Sequence, residues 1–176
     1  TATYGGAIYT RNKTAVSDLI IKNSKFLNNS ASEVGAVAVI RSADISDTTF
    51  NGNHATSTNA SSDGAGAMFL GSESLTKLTR VTFEANESGT RGGAIATRGT
   101  LDSGTGKFKE DNSVAKLDII NSTFKNNIAT TNGGAIDNTL YHSVESSDFA
   151  YISGTTFDSN QAVNGGAIYN HGELDK

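Results

Sequence analysis

Asp44, Asp47 and Arg80 are the residues whose types most readily suggest catalysis. Cleaving a polysaccharide takes two carboxylates at a defined separation, or a base supported by a cation. Asp44 and Asp47 share the segment "ADISDTTF", and Arg80 takes the place of Asp47 one repeat later. Elsewhere in the chain the first of these positions holds Ile20, Lys77, Asp118 and Tyr151, and the second holds Asn23, Asn121 and Gly154. Such mixed chemistry describes a solvated face better than an active site. Asp102, Glu110 and Asp111 offer oxygens to a hard cation, but their spacing matches neither an EF-hand loop nor a calcium-binding nonapeptide array. His54, His142 and His171 fall at unrelated phases of the repeat, so no shared metal site is expected. "SGTGK" lacks the full phosphate-loop pattern. No catalytic residue, metal or other cofactor is assigned, and a polysaccharide lyase or hydrolase is kept as the alternative reading.

What must position these residues is a repeat. A Gly-Ala pair followed by Ile, Val or Met recurs six times, at Gly6, Gly35, Gly66, Gly93, Gly134 and Gly166. Ahead of the later five stands F-x-x-N, with Phe26, Phe50, Phe83, Phe124 and Phe157 answered by Asn29, Asn53, Asn86, Asn127 and Asn160. Five residues before each Phe comes Ile21, Ile45, Leu78, Ile119 or Ile152, and two before it Ser24, Thr48, Val81, Ser122 or Thr155. Phe-to-Phe spacings are 24, 33, 41 and 33, so the shortest unit suits one turn of a three-sided coil and the longer ones carry insertions.

Gly, Asn, Ser, Thr and β-branched residues are poor helix formers, and the unit alternates with period two over short stretches. Short strands fit. A unit of two or three strands cannot bury its apolar side alone, whereas stacked copies bury one another and bond rung to rung at about 4.8 Å. The expectation is an all-β solenoid of parallel strands, a β-helix of about five to six coils. The Phe and Ile positions become internal columns, and the motif Asn residues are expected at αL turns with their carboxamides stacked as a ladder. The paired glycines are expected at a tight corner, and strict alternation places the Ala after them outward.

Composition agrees with such a chain. Its 176 residues are 36% hydrophobic and 7% aromatic, with 19 Gly, no Cys and no Pro, where average usage would give roughly nine Pro. Proline lacks the N–H a ladder needs, so its absence suits a backbone paired almost throughout. A net charge of −4 with no basic stripe speaks against nucleic acid, and no apolar run reaches membrane-helix length, so no membrane insertion by this segment is expected.

F-x-x-N paired with G-G-A-I resembles the repeat of the chlamydial-type polymorphic outer membrane proteins and, more broadly, of autotransporter passenger domains. The likeness covers residues 5 to 170 in five paired copies, with "VGAV" and "AGAM" departing at the first Gly. It implies a right-handed parallel β-helix displayed outside the cell at a bacterial outer surface, engaged in adhesion or self-association. Residues 1–176 then read as one segment, a fragment of a longer passenger, with insertion loops at 56–64, 97–116 and 139–150.

Binding residues are expected in loops and on outward faces. The residue after each G-G-A-I phrase is Tyr9, Ala38, Phe69, Ala96, Asp137 or Tyr169, an outward column if the Ile points in. Tyr9, Phe69 and Tyr169 are therefore candidates to stack on a sugar ring or anchor a protein, with Lys107 and Lys109 of the longest loop beside them. Partners expected are a host surface protein or glycan, or another copy of the chain meeting exposed terminal rungs.

Overall fold

Brief apolar alternations, interrupted every few residues by Gly, Asn or Ser, form strands of two to five residues, and the strands close into coils. The computed structural model describes residues 2–10, 19–59, 64–71, 74–97, 116–139 and 150–170. A half coil comes first and contains β1 (Ile8–Tyr9). Coil one holds β2 (Leu19–Lys22), β3 (Lys25–Leu27), β4 (Ser30–Ala31) and β5 (Val37–Val39). Coil two holds β6 (Ala43–Ser46), β7 (Thr49–Asn51), β8 (His54–Ala55) and β9 (Met68–Leu70). Coil three holds β10 (Leu75–Thr79), β11 (Thr82–Glu84), β12 (Glu87–Ser88) and β13 (Ile95–Thr97). Coil four holds β14 (Lys116–Ile120), β15 (Thr123–Lys125), β16 (Ile128–Ala129) and β17 (Ile136–Asn138). Coil five holds β18 (Ala150–Ser153), β19 (Thr156–Asp158) and β20 (Ile168–Asn170).

These strands pair in parallel with their counterparts one coil away. The sheets run β1-β5-β9-β13-β17-β20, β2-β6-β10-β14-β18, β3-β7-β11-β15-β19 and β4-β8-β12-β16. The described residues form a parallel β-helix of five coils and a leading half coil. Among the described residues there are four sheets, because the two residues after Asn29, Asn53, Asn86 and Asn127 pair as a short sheet of their own where a three-sided coil is expected to turn, and Gln161 after Asn160 adds a single bridge to Ile128.

Equal residues do stack. Phe26, Phe50, Phe83, Phe124 and Phe157 lie in register, ring centroids 4.8 to 5.0 Å apart and planes within 10° of parallel. Around them the Ile45, Leu78 and Ile119 column and the Val37, Met68, Ile95 and Ile136 column complete one continuous core. Beside the Phe file the motif asparagines also form a ladder, each Nδ2 donating at 2.9 Å to the Oδ1 one coil on, from Asn29 to Asn160. Each Oδ1 from Asn53 onward also accepts the backbone N–H of the Asn before it.

Those asparagines are not the αL residues. Positive φ falls on the residue before each one, Asn28, Gly52, Ala85, Asn126 and Ser159, at 52° to 64°. A second αL column, Asn23, Asp47, Arg80, Asn121 and Gly154, makes the earlier corner. The αL residue turns the chain outward side first, and so the residue after it can aim inward and ladder.

The paired glycines divide their work. The first, Gly5, Gly92, Gly133 or Gly165, has φ between 55° and 60° or just above, at 62° for Gly133. The second is held by close approach: a Cβ on Gly35, Gly66, Gly93 or Gly134 would fall well inside contact with the carbonyl oxygen of the next coil's glycine. Hence "VGAV" and "AGAM" dispense with the first Gly and keep the second. The following Ala points inward, contrary to strict alternation: Ala36, Ala67, Ala94 and Ala135 are buried in the core. Its N–H and that of the next residue both donate to one carbonyl of the coil beyond, as Ala94 and Ile95 do to Ala135, and so two successive side chains face in.

A hydroxyl column shows one gap. Ser122 Oγ accepts the amide of Val81, Thr48 Oγ1 that of Ser24 and Thr155 Oγ1 that of Ser122. Each of these hydroxyls also donates to the carbonyl two residues earlier. Val81, itself buried, puts a methyl where Thr48 needs that acceptor. Val81→Thr is near-isosteric and is expected to raise the unfolding free energy by about 1 kcal/mol, the net worth of a buried hydrogen bond. Urea denaturation followed by circular dichroism measures it.

Candidate functional site

The outer faces carry whatever chemistry the coils do not use. On the sheet that begins with β2, Ile20, Asp44, Lys77, Asp118 and Tyr151 stand in one outward column, as the repeat alignment requires. Asp44 therefore faces Lys77 across one rung, and Lys116 Nζ approaches Asp118 Oδ1 at 3.4 Å. At the αL corner beyond, Arg80 Nε and Nη2 donate to Asp47 Oδ1 and Oδ2 at 2.6 and 2.7 Å. Of the trio, Asp47 and Arg80 meet at that corner, where a single guanidinium engages both oxygens of Asp47, whereas Asp44 lies in β6 opposite Lys77.

That guanidinium holds the Asp47 carboxyl below its ordinary value near 3.8, chiefly through its hydrogen bonds. A depressed carboxylate stays ionised and makes a poor general acid. Because its folded pKa is lowered, the pair adds stability above the unfolded value, and the contribution fades as pH falls through the lower folded one. Arg80→Asn, placing in this column the residue already found at Asn23 and Asn121, is expected to flatten that acid limb while leaving the fold intact at neutral pH. Thermal melts across pH 2 to 5 (roughly the carboxylate range) test it.

The column after the G-G-A-I phrase departs from expectation. Tyr9 is exposed and stacks on Tyr4 with centroids 5.4 Å apart, and Tyr169 is half-buried. Phe69, expected to be an exposed aromatic, is only 6% exposed. It packs outside the coil in a satellite cluster with Val34, Ala38, Ala65 and Ala96, bordered by Ile40. Val34 and Ala65 are the two residues that replace the first Gly, and so the departures from the repeat supply apolar surface for Phe69. In the same column Asp137 is fully buried, with Arg91 Nε 3.8 Å from its Oδ2. A lone acidic residue among Tyr, Ala and Phe at this position was the available signal for that buried pair.

Lys107, Lys109, Asp102, Glu110, Asp111, His142 and His171 lie outside the described residues, as do residues 60–63, 98–115 and 140–149 of the three insertion loops. Among the described residues no group of three or more His, Asp or Glu is placed to hold a metal ion, and no helix is long and apolar enough to cross a membrane. A cavity of about 300 Å³ opens between the last two coils, lined by Leu117, Ile119, Ile136, Ala150, Ile152 and Ile168 with the Asn138 and Asn170 amides at its edge.

Against known families, residues 121–139 and 154–171 match the Chlamydia polymorphic membrane protein repeat. These are the F-x-x-N to G-G-A-I stretches of coils four and five. The resemblance to that repeat holds. Over 97 residues, 55% of this chain, it is also 36% identical to a probable autotransporter, YfaL, of Escherichia coli strain K12. The aligned part spans 7% of that relative's length. No solved structure matches.

Proposed function

We propose that this chain is a stiff passenger segment displayed at a bacterial outer surface, and that it acts by adhesion, presenting outward columns and loops to a host protein or glycan or to another copy of itself. The observation that carries this reading is the fate of the recurring polar groups. Every motif Asn is committed to joining coil to coil, so the recurring chemistry of the unit goes into length and stiffness, leaving the outward positions that differ from coil to coil to meet partners. Likeness to an autotransporter and to the polymorphic membrane protein repeat supports outer-surface display. Asp47, bound at both oxygens by Arg80, counts against the Asp44, Asp47 and Arg80 trio as the centre of the lyase or hydrolase alternative.

Beads coated with the purified chain should adhere to animal cells or to arrayed glycans above albumin-coated beads, and heat-unfolded chain should not. Adhesion equal to that of albumin, or release of unsaturated or reducing ends from acidic polysaccharides, would overturn the proposal.

A further inference from the structure

The insertion loops follow β8, β13 and β17, so none adjoins the sheet β3-β7-β11-β15-β19 in the chain. From β7 onward each strand of that sheet reads Thr, Phe and one polar residue. With the Phe turned in, two columns face out: Thr49, Thr82, Thr123 and Thr156, and beside them Asn51, Glu84, Lys125 and Asp158. All eight are exposed or half-buried. Glu84 Oε2 accepts from Asn51 Nδ2 at 3.2 Å. Lys125 lies one rung from Glu84, yet among the described residues no ion pair joins the two. At the corner that follows, Gly52, Ala85, Asn126 and Ser159 carry no charge.

We propose that this face docks on the same face of a second copy, with the two solenoids antiparallel. This deepens the self-association part of the proposed function and rests on it. A two-fold axis running along the strands, midway between β11 and β15, reverses the order of the coils and keeps each outward column opposite itself. Coil three then faces coil four. Glu84 meets the partner's Lys125 and Lys125 the partner's Glu84, while Asn51 meets the partner's Asp158. Thr82 comes over the partner's Thr123, and Thr49 over the partner's Thr156. At the preceding corner Arg80 comes over the partner's Asn121 and Asp47 over the partner's Gly154, so no like charges are opposed. Sheets packed face to face stand about 10 Å apart, a gap that short Thr side chains leave open and that Glu and Lys span. With the solenoids parallel, the axis would lie along the helix and set Glu84 and Lys125 against threonines, leaving both charges unpaired. Four rungs of three residues cover a few hundred Å² on each chain, below the roughly 800 Å² per partner of a standard interface. One contact is therefore weak and reversible, and adhesion through it comes from many chains facing many.

Charge reversal tests the pairing. Beads coated with the parent chain should clump with one another at low salt and disperse at about 1 M salt, which screens exposed pairs. Glu84→Lys beads and Lys125→Glu beads should each fail to clump alone, because every copy then opposes like charges. Mixed together they should clump, and the double variant Glu84→Lys with Lys125→Glu should clump with itself. Glu87→Lys and Lys22→Glu, the same changes of charge on other faces, should each clump as the parent does. A short bismaleimide tests the register, in a chain that has no cysteine of its own. Thr49→Cys with Thr156→Cys should give a linked dimer and nothing larger, since a two-fold contact closes on itself. Thr49→Cys alone should not link, because its two copies stand three rungs, about 14 Å, out of line. Single reversals that clump like the parent, failure of both the mixture and the double variant to clump, or equal linking by Thr49→Cys alone would overturn the inference. Parent beads that bind cells or glycans without clumping would overturn it and leave the wider adhesive reading standing.

Discussion

Asn86→Leu is expected to lower the unfolding free energy by about 4 kcal/mol, the sum of several buried polar groups left without partners. Asn86 is fully buried, and its carboxamide makes four bonds at once. Its Nδ2 donates to Asn127 Oδ1 and to Phe50 O, and its Oδ1 accepts from Asn53 Nδ2 and from the Asn53 backbone N–H. Leucine is close in volume, so the cavity contribution is small and the loss is almost wholly polar. The Phe50 carbonyl and the Asn53 amide would have no water to turn to. Asn160→Leu is the internal comparison. Its Oδ1 serves Asn127 and its Nδ2 serves Phe124 O, but it sits half-buried at the open end of the ladder, where solvent can replace lost bonds. Its loss should be less than half as large. Equal midpoints for the two variants in urea would show that the ladder contributes nothing beyond local packing.

Gly93→Ala should be nearly as costly, about 3 kcal/mol or more, at the upper end of overpacking effects. The added Cβ meets Gly134 O, and Ile128 N and C at 2.7 Å. All three are backbone atoms of the next coil, so no rotamer change relieves the clash. Coils three and four would have to separate, which stretches the ladders of all four sheets together. Gly166→Ala carries the same chemical change at the same place in the repeat, yet it meets only Asn160 O at 3.3 Å and should cost under about 1 kcal/mol. Thermal unfolding of the two alanine variants side by side measures the difference. Similar melting temperatures would mean that the second Gly is required for its own backbone freedom and not for the approach of the neighbouring coil.

Both results depend on features that the chain alone reveals unevenly. Phe26 to Phe157, and Asn29 to Asn160, were readable as columns because the spacing between members varies while the spacing inside each unit does not. Parallel pairing follows directly, since equal residues of successive units can lie over one another only if the strands run the same way. The Asp47 to Arg80 contact was readable for the same reason, as a consequence of column alignment.

Which residue occupies αL was less legible. Asn28, Gly52, Ala85, Asn126 and Ser159 have no one side-chain chemistry in common, because an outward corner tolerates many residues, whereas the inward position after it holds the ladder-forming Asn in all five units. Ala36, Ala67, Ala94 and Ala135 were misplaced by alternation because two adjacent amides converge on one carbonyl, a bend that period-two counting cannot represent. Phe69 looked exposed because an outward direction was equated with solvent, and Val34 and Ala65 supply the neighbours that cover it.

Local sequence, then, determined what stacks on what: a side chain repeated at constant phase has its environment set by copies of itself, and those are present in the chain. The tertiary structure decided the number of sheets, the inward turn of the Ala and the burial of Phe69 and Asp137. These depend on how one coil's backbone fits the curvature of the next, a distance between atoms far apart in the chain that no single unit encodes.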